Sequence, residues 1–137
     1  MNNEIFRYEV KINESHLDVF GHVNNAVYAQ LYDQARWDFI TENGMGLEFI
    51  ESSGIGPIVL EMNIKFLKEV RNREILTITS QVISIVRSRM IIEQQMINQK
   101  GDVVSTGQFI CVIFDLKKRR PKVPTQDWLH ACGVRDG

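Results

Sequence analysis

Between Asn24 and Asn43 the chain has neither proline nor glycine, and Tyr28, Leu31, Tyr32, Ala35 and Phe39 recur at i, i+3, i+4, i+7 and i+11. That is the repeat of one face of an α-helix. Opposite it lie Gln30, Asp33, Gln34 and Asp38, but Trp37 and Ile40 interrupt the polar strip, so the helix is expected to be largely enclosed. Asn24 or Asn25 can cap its start, because a short amide side chain accepts from a first-turn N–H. Asn43-Gly44 supplies the stop, both residues tolerating the left-handed conformation.

On either side of this helix the period changes to two. Residues 4–12 place Phe6, Tyr8, Val10 and Ile12 on one side and Arg7, Glu9 and Lys11 on the other, as in a half-buried strand. Glu51 to Pro57 is rich in breakers and reads as a loop. Ile58, Leu60, Met62, Ile64 and Phe66 then alternate with Val59, Glu61, Asn63 and Lys65, predicting a strand with one apolar face. After a turn at Arg71-Asn72-Arg73, residues 74–86 form a long β-branched run, and Arg87-Ser88-Arg89 turns into a strand from Met90 to Asn98. Asn98 to Asp102 has hairpin chemistry, and Val103 to Asp115 returns as a last strand whose Gly107 marks a bulge or a close approach. Thr125 to Cys132 reads as a short capped helix.

One helix among such strands is packed most economically as an α+β fold, an antiparallel sheet of about five strands wrapped around a long central helix. At 137 residues and 44% hydrophobic composition, residues 1–137 are expected to be a single domain with a real core. Only one sheet face can cover the helix. The second carries Thr77, Thr79, Gln81, Glu93 and Gln95, but also Ile83, Ile85, Ile91 and Ile97, which predicts a homodimer or larger homo-oligomer covering part of it.

Sixteen basic against 17 acidic residues leave a net charge of −1, which argues against a nucleic-acid partner. No apolar run is long enough for a membrane span, and Met1-Asn2-Asn3-Glu4 lacks a signal pattern, so a cytoplasmic location is expected. Cys111 and Cys132 have no metal-like spacing with the three histidines; both read as reduced and structural, with no metal site expected. His16 and His130 are isolated and read as structural or solvated. Lys117-Lys118-Arg119-Arg120 reads as a solvated loop, the alternative being a phosphate contact.

The chemistry-bearing stretch is Asp18-Val19-Phe20-Gly21-His22-Val23-Asn24-Asn25-Ala26-Val27-Tyr28, which runs into the helix. A helix start leaves backbone N–H groups unpaired and carries about half a positive charge, so a substrate oxygen turning negative is stabilised there. Asp18, a few residues upstream across Gly21, can face the same oxygen. A carboxylate beside an oxyanion site suits acyl transfer, as general base on water or as nucleophile. The same residues equally suit a plain turn followed by caps.

The pattern Asp-x-x-Gly-His-Val-Asn-Asn-x-x-Tyr entering a central helix resembles the hotdog-fold acyl-CoA thioesterases of the 4-hydroxybenzoyl-CoA thioesterase type, and the likeness extends over nearly the whole chain, to Arg120-Pro121-Lys122-Val123-Pro124. It implies that Asp18 attacks the thioester or activates water and that Asn25 offers its backbone N–H to the thioester carbonyl. Gly21, His22, Val23, Asn24 and Tyr28 are then substrate-binding. It further implies an acyl-CoA substrate, no cofactor, and a homodimer or homotetramer with the active site at the dimer interface. The chain departs from the family where relatives often read Tyr-x-x-Pro followed by Gly-Asp: here stand Phe66-Leu67-Lys68-Glu69 and Asn72-Arg73-Glu74.

Two other classes compete with an acyl-CoA thioesterase that releases free acid and CoA. A non-catalytic acyl-thioester binding or sensing module uses the same pocket, but needs no carboxylate at the carbonyl. An acyl-carrier-protein thioesterase shares the motif and differs in the carrier. A dehydratase is the weaker reading, since it calls for a histidine paired with an acid and His22 sits inside the thioesterase motif.

Overall fold

The computed structural model describes residues 2–135. Its elements are β1 (Phe6–Lys11), a 3-10 turn at Glu14–His16, α1 (Asn25–Glu42), α2 (Leu47–Ser53), β2 (Ile55–Phe66), β3 (Ile75–Val86), β4 (Arg89–Ile97), β5 (Val103–Asp115), β6 (Arg120–Pro121) and α3 (Gln126–Ala131). The strands form one sheet in the order β1-β3-β4-β5-β2, with β6 added to the end of β5, and every pairing is antiparallel. The sheet curls around α1, whose Tyr28, Leu31, Tyr32, Ala35, Arg36, Phe39 and Ile40 are buried. This is the expected α+β hotdog architecture. No helix among the described residues is long and apolar enough to cross a membrane.

Helix α1 begins and ends as its sequence requires. Asn24 is the N-cap, its side chain accepting from the Ala26 N–H at 2.9 Å, and the left-handed exit is taken by Gly44 at φ +87° while Asn43 stays at −98°. The helix is less enclosed than its thin polar strip suggests: Ala26, Gln30, Asp33, Gln34, Thr41 and Glu42 are exposed. The breaker-rich stretch after it is not a loop throughout. Residues 47–53 form α2, stopped by Gly54 at φ +74°, and β2 starts immediately at Ile55, so Gly54 is a helix terminator.

β-Bulges in β2 and β3 reset the alternation read from sequence, and a third register shift falls where β4 meets the start of β5. In β2, Val59 pairs Cys111 and Glu61 pairs Ile110, leaving Leu60 as the extra residue. Ile58 and Met62 therefore lie on opposite faces, although they share a face under strict alternation. In β3 the register shifts between Val82 and Ser84, which turns Ile85 toward the core and leaves Ile83 half-exposed. The outer face consequently loses Ile85, one of the isoleucines that the sequence placed there. Exposed apolar side chains gather instead along the free edge strand β2, at Leu60, Met62 and Phe66, and at Leu67 just beyond it.

A polar network runs through the core. Arg36, 8% exposed, donates from Nη1 to Gln94 Oε1 at 2.8 Å, and Gln94 Nε2 donates to the Tyr32 carbonyl and to Ser80 Oγ. The Arg36 guanidinium also lies 4.1 Å from the Phe109 ring centre and 3.3 Å from Asp33. Burial pulls its pKa below the ordinary value, and this web of partners is what makes a cation tolerable there. Gly107 marks a close approach, not a bulge: a Cβ there would lie 2.5 Å from the Phe109 ring and 3.3 Å from that of Tyr32.

Candidate active site

The motif loop closes on itself immediately before α1. Leu17 bridges Val23, the Asp18 N–H donates to the His22 carbonyl at 2.7 Å, and the Asn24 N–H donates to the His16 carbonyl at 3.0 Å. Residues 16, 17 and 18 thus stand opposite 24, 23 and 22, which folds Asp18 back against the residues that lead into the helix. At the tip, Gly21 adopts φ +80°, the left-handed backbone that a side chain makes costly. Val19 and Phe20 at this tip are 94% and 80% exposed.

Asp18 Oδ1 accepts two backbone N–H groups of its own loop, from Phe20 at 2.9 Å and from His22 at 3.1 Å. These bonds fix the side-chain rotamer and occupy one carboxylate oxygen, leaving Oδ2 without a protein partner among the described residues. At the helix start, Asn24 takes the Ala26 N–H on its side chain and the Val27 N–H on its carbonyl. The Asn25 N–H has no protein partner among the described residues, so the expected cluster of free donors narrows at this point to a specific one.

An open cleft of about 460 Å³ lies beside this helix start, lined by His22, Val23, Asn25 and Tyr28 on one side and Phe66, Leu67, Lys68, Glu69 and Val70 on the other. Four of the sequence-selected residues therefore meet in one cavity. Asp18, Gly21 and Asn24 are not in its lining: Asp18 is hydrogen-bonded to His22, Gly21 shapes the tip, and Asn24 caps. Tyr28 packs edge-on against Phe66 with ring centres 4.8 Å apart, and burial, reinforced by Glu74, raises its phenol pKa and keeps the O–H a donor.

The far wall contains a residue the sequence did not single out. Glu69 places Oε1 3.3 Å from His22 Nε2, while its other oxygen lies 3.9 Å from Arg71. Nothing local marks Glu69, because it meets His22 only through the sheet's long-range closure. A histidine beside an acid is thus present in the cleft. The other two histidines are elsewhere: His16 accepts the Asn13 N–H on Nδ1 in a capping box, and His130 sits on α3. Among the described residues, no group of three or more His, Cys, Asp or Glu is placed to hold a metal ion.

Among the basic residues, Arg73 is paired with Glu14 at 2.6 Å, whereas Lys68 and Arg71 lie at or beside the cleft. The run Lys117 to Arg120 is exposed at the opposite end of β5, where Asp115 Oδ1 accepts the N–H groups of Lys117 and Lys118. It is a tight turn leading into the two-residue strand β6.

Residues 10–131 match the family model of the thioesterase-like superfamily. The chain is 32% identical over 113 residues to the long-chain acyl-CoA thioesterase FadM of Escherichia coli, a match that spans 82% of this chain and 85% of FadM. It is 27% identical over 126 residues to the Arabidopsis thaliana acyl-acyl carrier protein thioesterase ATL3, spanning 90% of this chain and 65% of that protein. Among solved structures, the fold is shared with Staphylococcus aureus SAV2348 in complex with CoA at a TM-score of 0.87 and 17% identity, covering 96% of this chain and 83% of that one. It is shared likewise with the 1,4-dihydroxy-2-naphthoyl-CoA thioesterase Slr0204 of Synechocystis at 0.86 and 18% identity, with 94% and 96% covered.

Proposed function

Since the chain belongs to the thioesterase-like superfamily, we propose that it hydrolyses an acyl-CoA thioester to the free acid and CoA, with Asp18 as the catalytic carboxylate and the Asn25 N–H as the donor to the thioester carbonyl. The observation that supports this reading is the closed motif loop, in which two backbone N–H groups lock the Asp18 carboxylate opposite His22, three residues ahead of the unpaired Asn25 N–H. As the carbonyl oxygen becomes negative, that N–H and the helix dipole stabilise it, and donors of this kind are worth about 10²–10³ in rate. Asp18 supplies electrons to the carbonyl carbon either directly or through a water. His22, Val23 and Tyr28 line the path of the thioester arm, and Gly21 and Asn24 hold the loop and the helix start in place.

The test is a panel of short, long and aromatic acyl-CoAs assayed with a free-thiol reagent, for wild type and Asp18→Asn. Thiol release by the wild type and a loss of orders of magnitude in kcat for the folded variant are expected, because the isosteric amide neither attacks nor accepts a proton. Near-wild-type turnover by Asp18→Asn removes the mechanism, and binding without thiol release across the panel makes the protein a sensor. An acyl-carrier-protein thioester assayed in parallel distinguishes the carrier.

The functional unit in this reading is a homodimer in which a second copy covers the free edge of β2, where Met62 and Phe66 are 53% and 50% exposed. Sedimentation is expected to give a dimer or tetramer, with Met62→Lys shifting it toward monomer. A monomeric wild type refutes that assembly.

A further inference from the structure

Charge is distributed unevenly over this nearly neutral chain. Residues 86–89 and 115–123 carry seven of the 16 basic residues against a single acid, Asp115, although the net charge of the whole is −1. The sheet joins the two segments at one end. The Ile113 N–H donates to the Ser88 carbonyl at 3.3 Å and the Lys122 N–H to the Ile113 carbonyl at 2.8 Å, so β6 continues the line of β4 and lies beside the turn at Arg87-Ser88. Arg87, Arg89, Lys117 to Arg120 and Lys122 are all exposed, and none forms an ion pair among the described residues. Asp115 is engaged by its own turn, its Oδ1 accepting from the Lys117 and Lys118 N–H groups. Exposed apolar side chains adjoin the cations in both segments: Val86 before Arg87, Leu116 before Lys117 and Val123 after Lys122. This end is about 35 Å along β5 from Val104, whose carbonyl holds the cleft wall at Leu67 and Lys68.

Two of these cations sit on backbone that disfavours them. Among the described residues, the non-glycine positions with left-handed backbone are Arg73, Arg87 and Arg119, at φ +69°, +58° and +55°. Glycine or asparagine is the usual occupant of such a position. Arg73 is accounted for by its pair with Glu14, but no carboxylate pairs with Arg87 or Arg119, and the Arg119 guanidinium lies 5.6 Å from the Phe114 ring centre. A long cation kept at a turn tip where glycine would be less strained points to a use for the charge itself. We propose that this basic end docks the protein on an anionic phospholipid surface, the arginines and lysines meeting lipid phosphates while Val86, Leu116 and Val123 enter the headgroup layer. A bilayer satisfies both features at once, supplying phosphates for the cations and a hydrocarbon boundary for the apolar side chains beside them. The rest of the chain is correspondingly acidic, so the field of an anionic surface turns the basic end toward it and the remainder away.

Co-sedimentation with vesicles of phosphatidylcholine, alone or mixed with phosphatidylglycerol, tests the assignment, with Tm and the binding of free CoA measured on the same variants. The wild type is expected to bind only the anionic vesicles and to leave them as salt rises. Arg87→Gly and Arg119→Gly should each weaken vesicle binding about fivefold, the worth of one charge near such a surface. Their Tm should be unchanged or higher, because glycine relieves the left-handed backbone, and their CoA binding should be unchanged. Arg87→Lys should keep vesicle binding, and Val86→Ser with Val123→Ser should weaken it without altering its salt dependence. Lys65→Gln, which removes an exposed charge elsewhere on the sheet, should stay near wild type. No preference of the wild type for anionic vesicles, or an equal loss in Lys65→Gln and Arg87→Gly, overturns the proposal. Weaker CoA binding in the glycine variants with vesicle binding intact also overturns it, by making this end a nucleotide-phosphate site. Loss of vesicle binding only in variants that melt lower assigns the arginines to folding and overturns it too.

Discussion

Gln94→Leu is the sharpest test of how the core tolerates its cation. Gln94 has no exposed surface and makes three hydrogen bonds: it accepts from Arg36 and donates to Ser80 and to the Tyr32 carbonyl. The Tyr32 carbonyl keeps its helical donor, so two groups are stranded. Losing a bond to a buried charge costs about 1.5–3 kcal/mol and stranding the Ser80 hydroxyl about 1 kcal/mol. The more apolar leucine returns about 1 kcal/mol. The net expectation is a loss of about 1.5–3 kcal/mol, a fall in the urea midpoint of about 1–2 M. Removing the cation as well, in Arg36→Met with Gln94→Leu, should cost less than the sum of the single changes, because apolar replacement of a whole buried polar group is near neutral. A Gln94→Leu loss below about 1 kcal/mol, or strict additivity in the cycle, refutes the argument that Gln94 is what makes Arg36 tolerable.

Gly107→Ala forces a methyl against the Phe109 ring at 2.5 Å and should destabilise by about 1–3 kcal/mol in thermal or urea unfolding; an unchanged midpoint contradicts the close approach. Burial pushes the Cys132 pKa well above the ordinary thiol range, up to about 12, with Cys111 adding to it. Because the folded value is raised, this contribution to stability is complete below about pH 9 and drains as pH rises toward 12. Cys132→Ala should flatten that alkaline limb, and both buried thiols should resist a thiol reagent until the protein unfolds; a fast-reacting native thiol would contradict the burial.

The helix and the pairing of strands were legible because both write their period into consecutive residues. Tyr28, Leu31, Tyr32, Ala35 and Phe39 are all buried, and the motif's lining residues His22, Val23, Asn25 and Tyr28 converge on one cleft. What the sequence concealed is non-periodic. The extra residue at Leu60 leaves no compositional mark, so Ile58 and Met62 looked like neighbours on one face. Gly54 looked like a loop residue, because a seven-residue helix is too short to establish a period before it stops. Glu69 is hidden for another reason: its partner is fixed by the closure of β1 on β3 and of the motif loop on itself, not by anything near residue 69.

The strand order also dictates a timetable for a chain emerging from the ribosome. β2 follows α1 in synthesis, but its only partner in the sheet is β5, and β3 and β4 must be made first. The hairpins β3-β4 and β4-β5 can zip locally, whereas β2 waits with twelve residues of unsatisfied backbone and several bare apolar side chains. That interval is when a nascent chain of this topology is most open to mispairing or to capture by a chaperone, and slowing translation between residues 67 and 103 should lengthen it.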